Sequence, residues 1–245
     1  MFIVLELLYN GINKSKIHNY TMYVFASKDE YFSNKLFHQL NNKYEGKLFF
    51  VKTKKELKDK LEENPEKIFF FHWSYIVKKE VCDKYVCINL HTSNLPYGKG
   101  GSPLQNQILD KVYFSRVNAI RMSEKVDAGP IYCSHPVTLQ GSLFDIWNVI
   151  TKVSFILISK IIDNPDMIPV EQKVIEDEII YKRRKINEIT PKECNDLEDF
   201  YDRVRMLDGP SYPNTYIVHG DFKIDLTRAQ FDGEKILCDA IISKK

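Results

Sequence analysis

The densest run of chemically useful side chains is Asn89-Leu90-His91-Thr92-Ser93, followed at once by the loop Asn94-Leu95-Pro96-Tyr97-Gly98-Lys99-Gly100-Gly101-Ser102-Pro103. The run closes the apolar stretch Val86–His91, which predicts a strand. Residues two apart in a strand point to the same side, so Asn89 and His91 share a face. An imidazole moves protons and a carboxamide donates a hydrogen bond to developing charge, which makes the pair suited to catalysis. The loop glycines let backbone come close to a ligand, and the prolines stiffen it. A histidine satisfied inside an ordinary βα turn is the alternative reading of the same residues.

Positioning such a pair requires a sheet. Four nearly continuous apolar runs, Tyr20–Ala26, Lys47–Lys52, Lys67–Trp73 and Val86–His91, read as strands buried on both faces. Helical spacing fills the gaps at Asp29–Leu40, Thr53–Glu62 and Tyr75–Asp83. Strands alternating with helices predict an α/β fold: an open, Rossmann-like, mostly parallel sheet whose strand ends bear the ligand crevice. Further strands are expected at Val117–Arg121 and Ile131–Val137. A helix should follow, with Leu143, Ile146, Trp147, Ile150, Val153, Leu157 and Ile161 on one stripe and Ser142 as its cap. Pro169–Gln172 reads as a last strand. Beyond the charged run at 181–185, a helix near Leu197–Met206 and strands at Asn214–Val218, Phe222–Phe231 and Lys235–Ile242 predict a small β-rich lobe, with Asp232-Gly233 turning a hairpin. The expected division is a catalytic domain over 1–177 and a lobe over 178–245. Residues 1–19 form either an added element or an extension ahead of Met22.

Composition narrows the function classes. Thirty-five basic against 33 acidic residues leave a net charge of +2, and only seven basic residues are Arg, which disfavours a broad phosphate-reading surface. Neither G-x-G-x-x-G nor G-x-x-x-x-G-K-[ST] occurs, so NAD and ATP are poor candidates. The five cysteines contain no C-x-x-C pair, which predicts reduced thiols and no zinc site. No signal peptide and no run of 18 apolar residues is present, so a soluble cytoplasmic protein with no membrane partner is expected.

The run N-L-H-T-S-N-L-P-Y-G-K-G-G-S-P-L-Q-N, with Asp127 in V-D-A-G-P-I-Y 36 positions after His91, resembles the 10-formyltetrahydrofolate-dependent formyltransferases. Members carry N-x-H-x-S-x-L-P-x-x-R-G-x-x-P and then D-x-G-x-I. The resemblance covers about Trp73 to Leu143. It implies Asn89, His91 and Asp127 as a catalytic trio, with 10-formyltetrahydrofolate as cosubstrate and no metal. His91 would take the proton of the attacking amine, Asn89 would hold the oxyanion, and Asp127 would orient His91 or relay protons. Taken alone, Asp127 reads as a turn residue before Ala-Gly-Pro. The resemblance further implies folate contacts from Phe71, His72, Trp73, Ser74 and Tyr75, and from Met122 and Val126 before the aspartate. By residue type alone, Trp73 and His72 read as core and structural positions.

The family divides by acceptor. The form of the glycine loop, the short lobe and the G-P-S-Y-P-N-T run resemble the sugar N-formyltransferase branch. The acceptor expected on that basis is a dTDP-linked aminodeoxysugar such as dTDP-4-amino-4,6-dideoxyglucose, in O-antigen synthesis, with methionyl-tRNA or a non-catalytic binder as alternatives and no nucleic-acid partner. Acceptor contacts are then expected from Thr92, Lys99, Gly100, Gly101, Ser102, Pro103, Gln105 and Arg183, and from Tyr212 and Asn214 in the lobe. Lys99 stands where the family carries Arg and so lacks the planar fork. Ala26-Ser27-Lys28-Asp29 lacks the family's glycine turn after the first strand. Strand edges in the lobe suggest a symmetric homodimer.

Overall fold

The computed structural model describes residues 21–28, 30–176 and 178–245; the expected extension at residues 1–19 lies outside them. Tyr23–Ala26 (β1), Leu48–Val51 (β2), Lys67–Phe70 (β3) and Val86–Thr92 (β4) pair in parallel. Phe114–Arg121 (β6) and Ile131–Thr138 (β7) add antiparallel, in the order β2-β1-β3-β4-β6-β7. The sheet is therefore mixed and mostly parallel, as expected of this α/β chain.

Alternation along β1 builds two cores. Tyr23 and Phe25 face the larger one, where helices Tyr31–Lys43 (α1) and Leu143–Asp163 (α5) pack through Phe32, Leu36, Ile146, Trp147 and Ile150. Val24 and Ala26 face the smaller one, under Leu57 of Lys54–Leu61 (α2) and Cys82 of Lys79–Lys84 (α3). Phe25 is fully buried between Phe50 and Phe71, and its truncation to Ala would cost about 3–5 kcal/mol. α5 starts at a capping box in which Ser142 and Asp145 each accept from the other's backbone N–H.

Three expectations change. The helix expected at Tyr75–Asp83 shrinks to α3, because the chain first turns through His72 at φ +50°. Pro169–Gln172 forms only a single bridge, Val170 to Ile131. A helix at Pro103–Leu109 (α4) had no signal, since its buried positions include Gln105, Asn106 and Gln107 and so break the apolar period.

After Ile180–Tyr181 (β8) comes Leu197–Arg205 (α6), capped by Asp196, and the sheet β11-β10-β9 formed by Thr215–His219 (β9), Phe222–Phe231 (β10) and Ile236–Lys244 (β11). Arg205 fastens this region to the connection between β7 and α5. Its guanidinium donates to Asp202 at 2.6 Å, to Leu139 O at 2.6 Å and to Gly141 O at 2.9 Å, with Arg205 and Asp202 both buried. Among the described residues no helix is long and apolar enough to cross a membrane.

Candidate functional site

Asn89 and His91 occupy one face of β4, opposite Ile120 and Asn118 of β6. Asp127 reaches them from the β6–β7 connection, in a turn that holds its backbone at φ +52°, a conformation that costs a non-glycine residue about 1–3 kcal/mol. A Cβ at Gly129 would overlap the Arg121 carbonyl oxygen, so that position admits only glycine. Gln172 clamps the turn, its side-chain amide donating to the carbonyls of Asp127 and Gly129, both at 2.8 Å.

Three polar groups converge on the Asp127 carboxylate. Asn89 Nδ2 donates to Oδ1 at 3.1 Å, the Gly100 N–H donates to Oδ2 at 3.0 Å, and His91 Nδ1 lies 3.3 Å from Oδ2. On its other side His91 Nε2 meets the Gly98 carbonyl at 3.0 Å. A carbonyl and a carboxylate both accept, so a doubly protonated ring satisfies both contacts and a neutral ring satisfies one. Buried amides hold the end of β4: Asn118 donates to Ser93 O at 2.7 Å, and Gln107 donates to Thr92 O at 2.8 Å while accepting from Ser115 at 2.6 Å. Residue-type reasoning missed these amides, because a lone polar side chain inside a strand or a short helix leaves no periodic signal, and it missed the role of the Gly100 N–H, because a backbone donor has no side-chain signature.

Packing within the chain gives the glycine loop a reason of its own for its composition. Lys99–Gly100 (β5) pairs in parallel with β8, and the segment after it runs across the loop as a strap. A Cβ at Gly98 would press on the Tyr181 ring, one at Gly100 on the Tyr181 carbonyl, and one at Gly101 on the Arg183 backbone. Gly98 and Gly100 also have φ of +75° and +101°. Asn106 bolts strap to loop, donating to Gly101 O and Lys182 O, both at 2.9 Å, and accepting from Arg184 at 2.7 Å. Tyr181 donates to Asp110 at 3.0 Å, and burial together with that carboxylate pushes its hydroxyl up to about 12.

The expected acceptor residues separate on this frame. Lys99 is buried and its ammonium is paired with Glu178, so its charge is matched inside the protein. Thr92 and Gln105 are also buried, Gln105 donating to Met206 O at 3.3 Å. Ser102 accepts from Arg184 N at 3.1 Å, Pro103 is the first residue of α4, and Arg183 is exposed on the strap. Tyr212 stacks on His72, with ring centroids 6.0 Å apart and its hydroxyl 3.2 Å from His72 Nε2. Asn214 lines a shallow pocket with Ser142, Asp208 and Arg228 that none of the trio borders.

Of the expected folate residues, Phe71 is core, packed on Phe25 and Trp147. Trp73 sets its ring edgewise against Phe70 and Tyr75, and its buried indole N–H has no acceptor among the described residues. Ser74 and Val126 are exposed, and Met122 packs in the smaller core. Lys28 and Lys54 stand over the Tyr75 ring, 4.4 and 4.8 Å from its centroid.

Residues 185–243 match the family model "Methionyl-tRNA formyltransferase, C-terminal domain". A methionyl-tRNA formyltransferase of Ehrlichia ruminantium (strain Gardel) is 29% identical over 198 residues, covering 74% of this chain and 61% of that protein. The chain therefore spans about three fifths of the length of that curated relative. A solved methionyl-tRNA formyltransferase from Clostridium thermocellum superposes with a TM-score of 0.84 at 29% identity, over 91% of this chain and all of that one. HypX from Aquifex aeolicus in complex with tetrahydrofolic acid gives a TM-score of 0.68 at 16% identity, over 86% of this chain and 38% of that one, a likeness of fold. A "likely sugar N-formyltransferase" from Mycobacterium tuberculosis and a sugar N-formyltransferase from Shewanella sp FDAARGOS_354 give TM-scores of 0.67 and 0.60, both at 16% identity, and share the fold alone.

These matches overturn the expected sugar branch, the dTDP-aminosugar acceptor with its O-antigen role, and the exclusion of a nucleic-acid partner. Loop form was a poor guide to the acceptor because packing against the strap also requires those glycines. Net charge is a weak guide to the acceptor because it averages away a local exposed run such as Lys182-Arg183-Arg184-Lys185. By fold and by sequence, the chain is similar to the methionyl-tRNA formyltransferases.

Proposed function

We propose that this chain transfers a formyl group from 10-formyltetrahydrofolate to the α-amino group of methionyl-tRNA. The convergence of Asn89, His91 and the Gly100 N–H on Asp127 carries the chemistry, and the likeness to methionyl-tRNA formyltransferases supports the acceptor. The amine nitrogen attacks the formyl carbon, and a C–N bond forms while the bond to the folate nitrogen breaks. His91 takes the proton lost by the amine and returns one to the departing nitrogen. For Nε2 to do this, its contact with the Gly98 carbonyl must give way when the amine arrives. Asn89, held by Asp127, presents its amide to the developing oxyanion, and Asp127 favours the charged ring that appears along the way. Trp73, with its unmatched N–H, is the folate contact we favour.

The experiment offers 10-formyltetrahydrofolate with methionyl-charged initiator tRNA, uncharged tRNA and free aminosugar nucleotides, and reads formylation by mass. Formyl-methionine on the charged tRNA alone is expected. Turnover on another amine with none on methionyl-tRNA would overturn the assignment.

A further inference from the structure

Ile131 at the start of β7 and Val170 exchange both backbone hydrogen bonds, the Ile131 N–H donating to Val170 O at 2.7 Å and the Val170 N–H to Ile131 O at 2.9 Å. Antiparallel register carried one hydrogen-bonded pair further sets Gln172 opposite Gly129. The backbone ladder stops there, and the Gln172 side chain continues it. Its Nε2 lies 2.8 Å from the carbonyl oxygens of both Gly129 and Asp127. Those two carbonyls aim at one point and repel each other, and among the described residues no other donor reaches either. An NH₂ group supplies one hydrogen to each.

The same side chain bears a penalty for this. Gln172 Oε1 is buried and has no donor among the described residues. Turning the amide over would set that oxygen against the two carbonyls, so the orientation with both hydrogens on the turn is kept and one acceptor stays unsatisfied, which buried polar groups rarely tolerate without a reason. The reason lies in Asp127, whose backbone at φ +52° persists only where its surroundings hold it. We infer that Gln172 is a positioning residue for formyl transfer: by fixing the main chain of the turn, it aims the Asp127 carboxylate at Asn89 Nδ2, the Gly100 N–H and His91 Nδ1. The inference rests on the assignment of that carboxylate to formyl transfer. Gln172 makes no hydrogen bond to any of those three groups, so it acts through Asp127.

The segment that follows serves the other side of the same contact. Glu178 pairs with Lys99, and the carbonyls of Ile179 and Tyr181 accept from the Gly98 and Gly101 N–H groups at 3.1 and 2.9 Å. Gln172 thus sets the turn that carries the carboxylate, while Glu178, Ile179 and Tyr181 set the loop that offers it the Gly100 N–H.

Steady-state kinetics and amide hydrogen exchange, both on the full chain, test the assignment together. Gln172→Met keeps length and bulk, removes both donors and removes the stranded oxygen, so its melting curve should stay close to that of the wild type. With 10-formyltetrahydrofolate saturating, kcat on methionyl-charged initiator tRNA should fall roughly 10- to 100-fold while KM for the tRNA stays within about threefold. In an Asp127→Asn chain the same substitution should change kcat by less than about threefold, because its route to the chemistry is already cut. Exchange at the Gly100 N–H, followed by NMR, should rise about tenfold or more in Gln172→Met, as in Asp127→Asn, while the Gly101 N–H keeps its rate. A kcat within about threefold of wild type, or a loss of equal size with and without the Asp127 carboxylate, overturns the inference, as does unchanged Gly100 exchange. A wild-type chain that leaves methionyl-tRNA unformylated overturns the acceptor assignment instead, and the Gly100 exchange still decides the role of Gln172. Should the methionine variant fail to fold, Gln172→Glu takes its place with the same expected results, since its ionised carboxylate keeps the shape and offers the two carbonyls no donor.

Discussion

Asp127→Asn is the sharpest probe of the site. The carboxylate accepts on both oxygens and faces three groups that donate to it or can do so: Asn89 Nδ2, Gly100 N–H and His91 Nδ1. An asparagine keeps the shape and loses the charge, and one of its two positions becomes an NH₂ that must face a donor. With the NH₂ toward Gly100 and His91, it opposes a fixed backbone N–H held in place by the β5–β8 pairing. With the NH₂ toward Asn89, that amide must turn over and withdraw the donor proposed for the oxyanion. Hydrogen bonds to a charged group contribute about 1.5–3 kcal/mol each. Losing two of them in the transition state, about 3–6 kcal/mol, converts at about 1.4 kcal/mol per tenfold to roughly 10²–10⁴ in kcat. Because the same donors meet the carboxylate in the resting protein, part of the loss falls on stability: a buried donor left unpaired costs about 1–3 kcal/mol, a melting shift of roughly 2–12 °C in a chain of this size. The assay is formylation of charged initiator tRNA with the melting curve recorded on the same preparation. A kcat within about threefold of wild type, where at least two orders are expected from lost charge-assisted bonds, would refute the role of this carboxylate.

Other perturbations test the frame. Arg205→Met strands the buried Asp202 carboxylate, leaving it only Lys111 at 2.8 Å, and unpairs the carbonyls of Leu139 and Gly141; breaking a buried pair costs about 3–5 kcal/mol, so calorimetry should show a melting loss of roughly 6–20 °C. Burial pushes the Cys87 thiol far up and that of Cys133 up to about 11, so iodoacetamide near neutral pH should label both only after denaturation, as read by peptide mass spectrometry. Lys43 and Tyr44 donate to Asp163 at 2.7 and 2.8 Å and hold its carboxyl below its ordinary value. With the folded pKa depressed, this stabilisation is complete above the ordinary carboxylate range and is lost as pH falls through the folded value; because the pair is about half exposed, Asp163→Asn should cost under about 1 kcal/mol near neutral pH and nothing in acid, measurable by urea melts.

Runs of like character were legible from the chain alone. Continuous apolar stretches such as Ile68–Phe71 can be satisfied only between two layers, so the parallel half of the sheet, both cores and the helix from Leu143 follow from periodicity and burial. The spacing of Asn89 and His91 likewise fixes one face of β4, because a strand alternates regardless of what surrounds it. The tertiary structure decided everything that depends on contact between distant residues. It set the Gly100 N–H against Asp127 across 27 positions, laid Tyr181 and Arg183 over the glycines, paired Lys99 with Glu178 across 79, and turned three amides of α4 inward. A glycine records only that a Cβ does not fit. Whether a ligand or a strap of the chain itself fills that space is settled by packing, which no local spacing encodes.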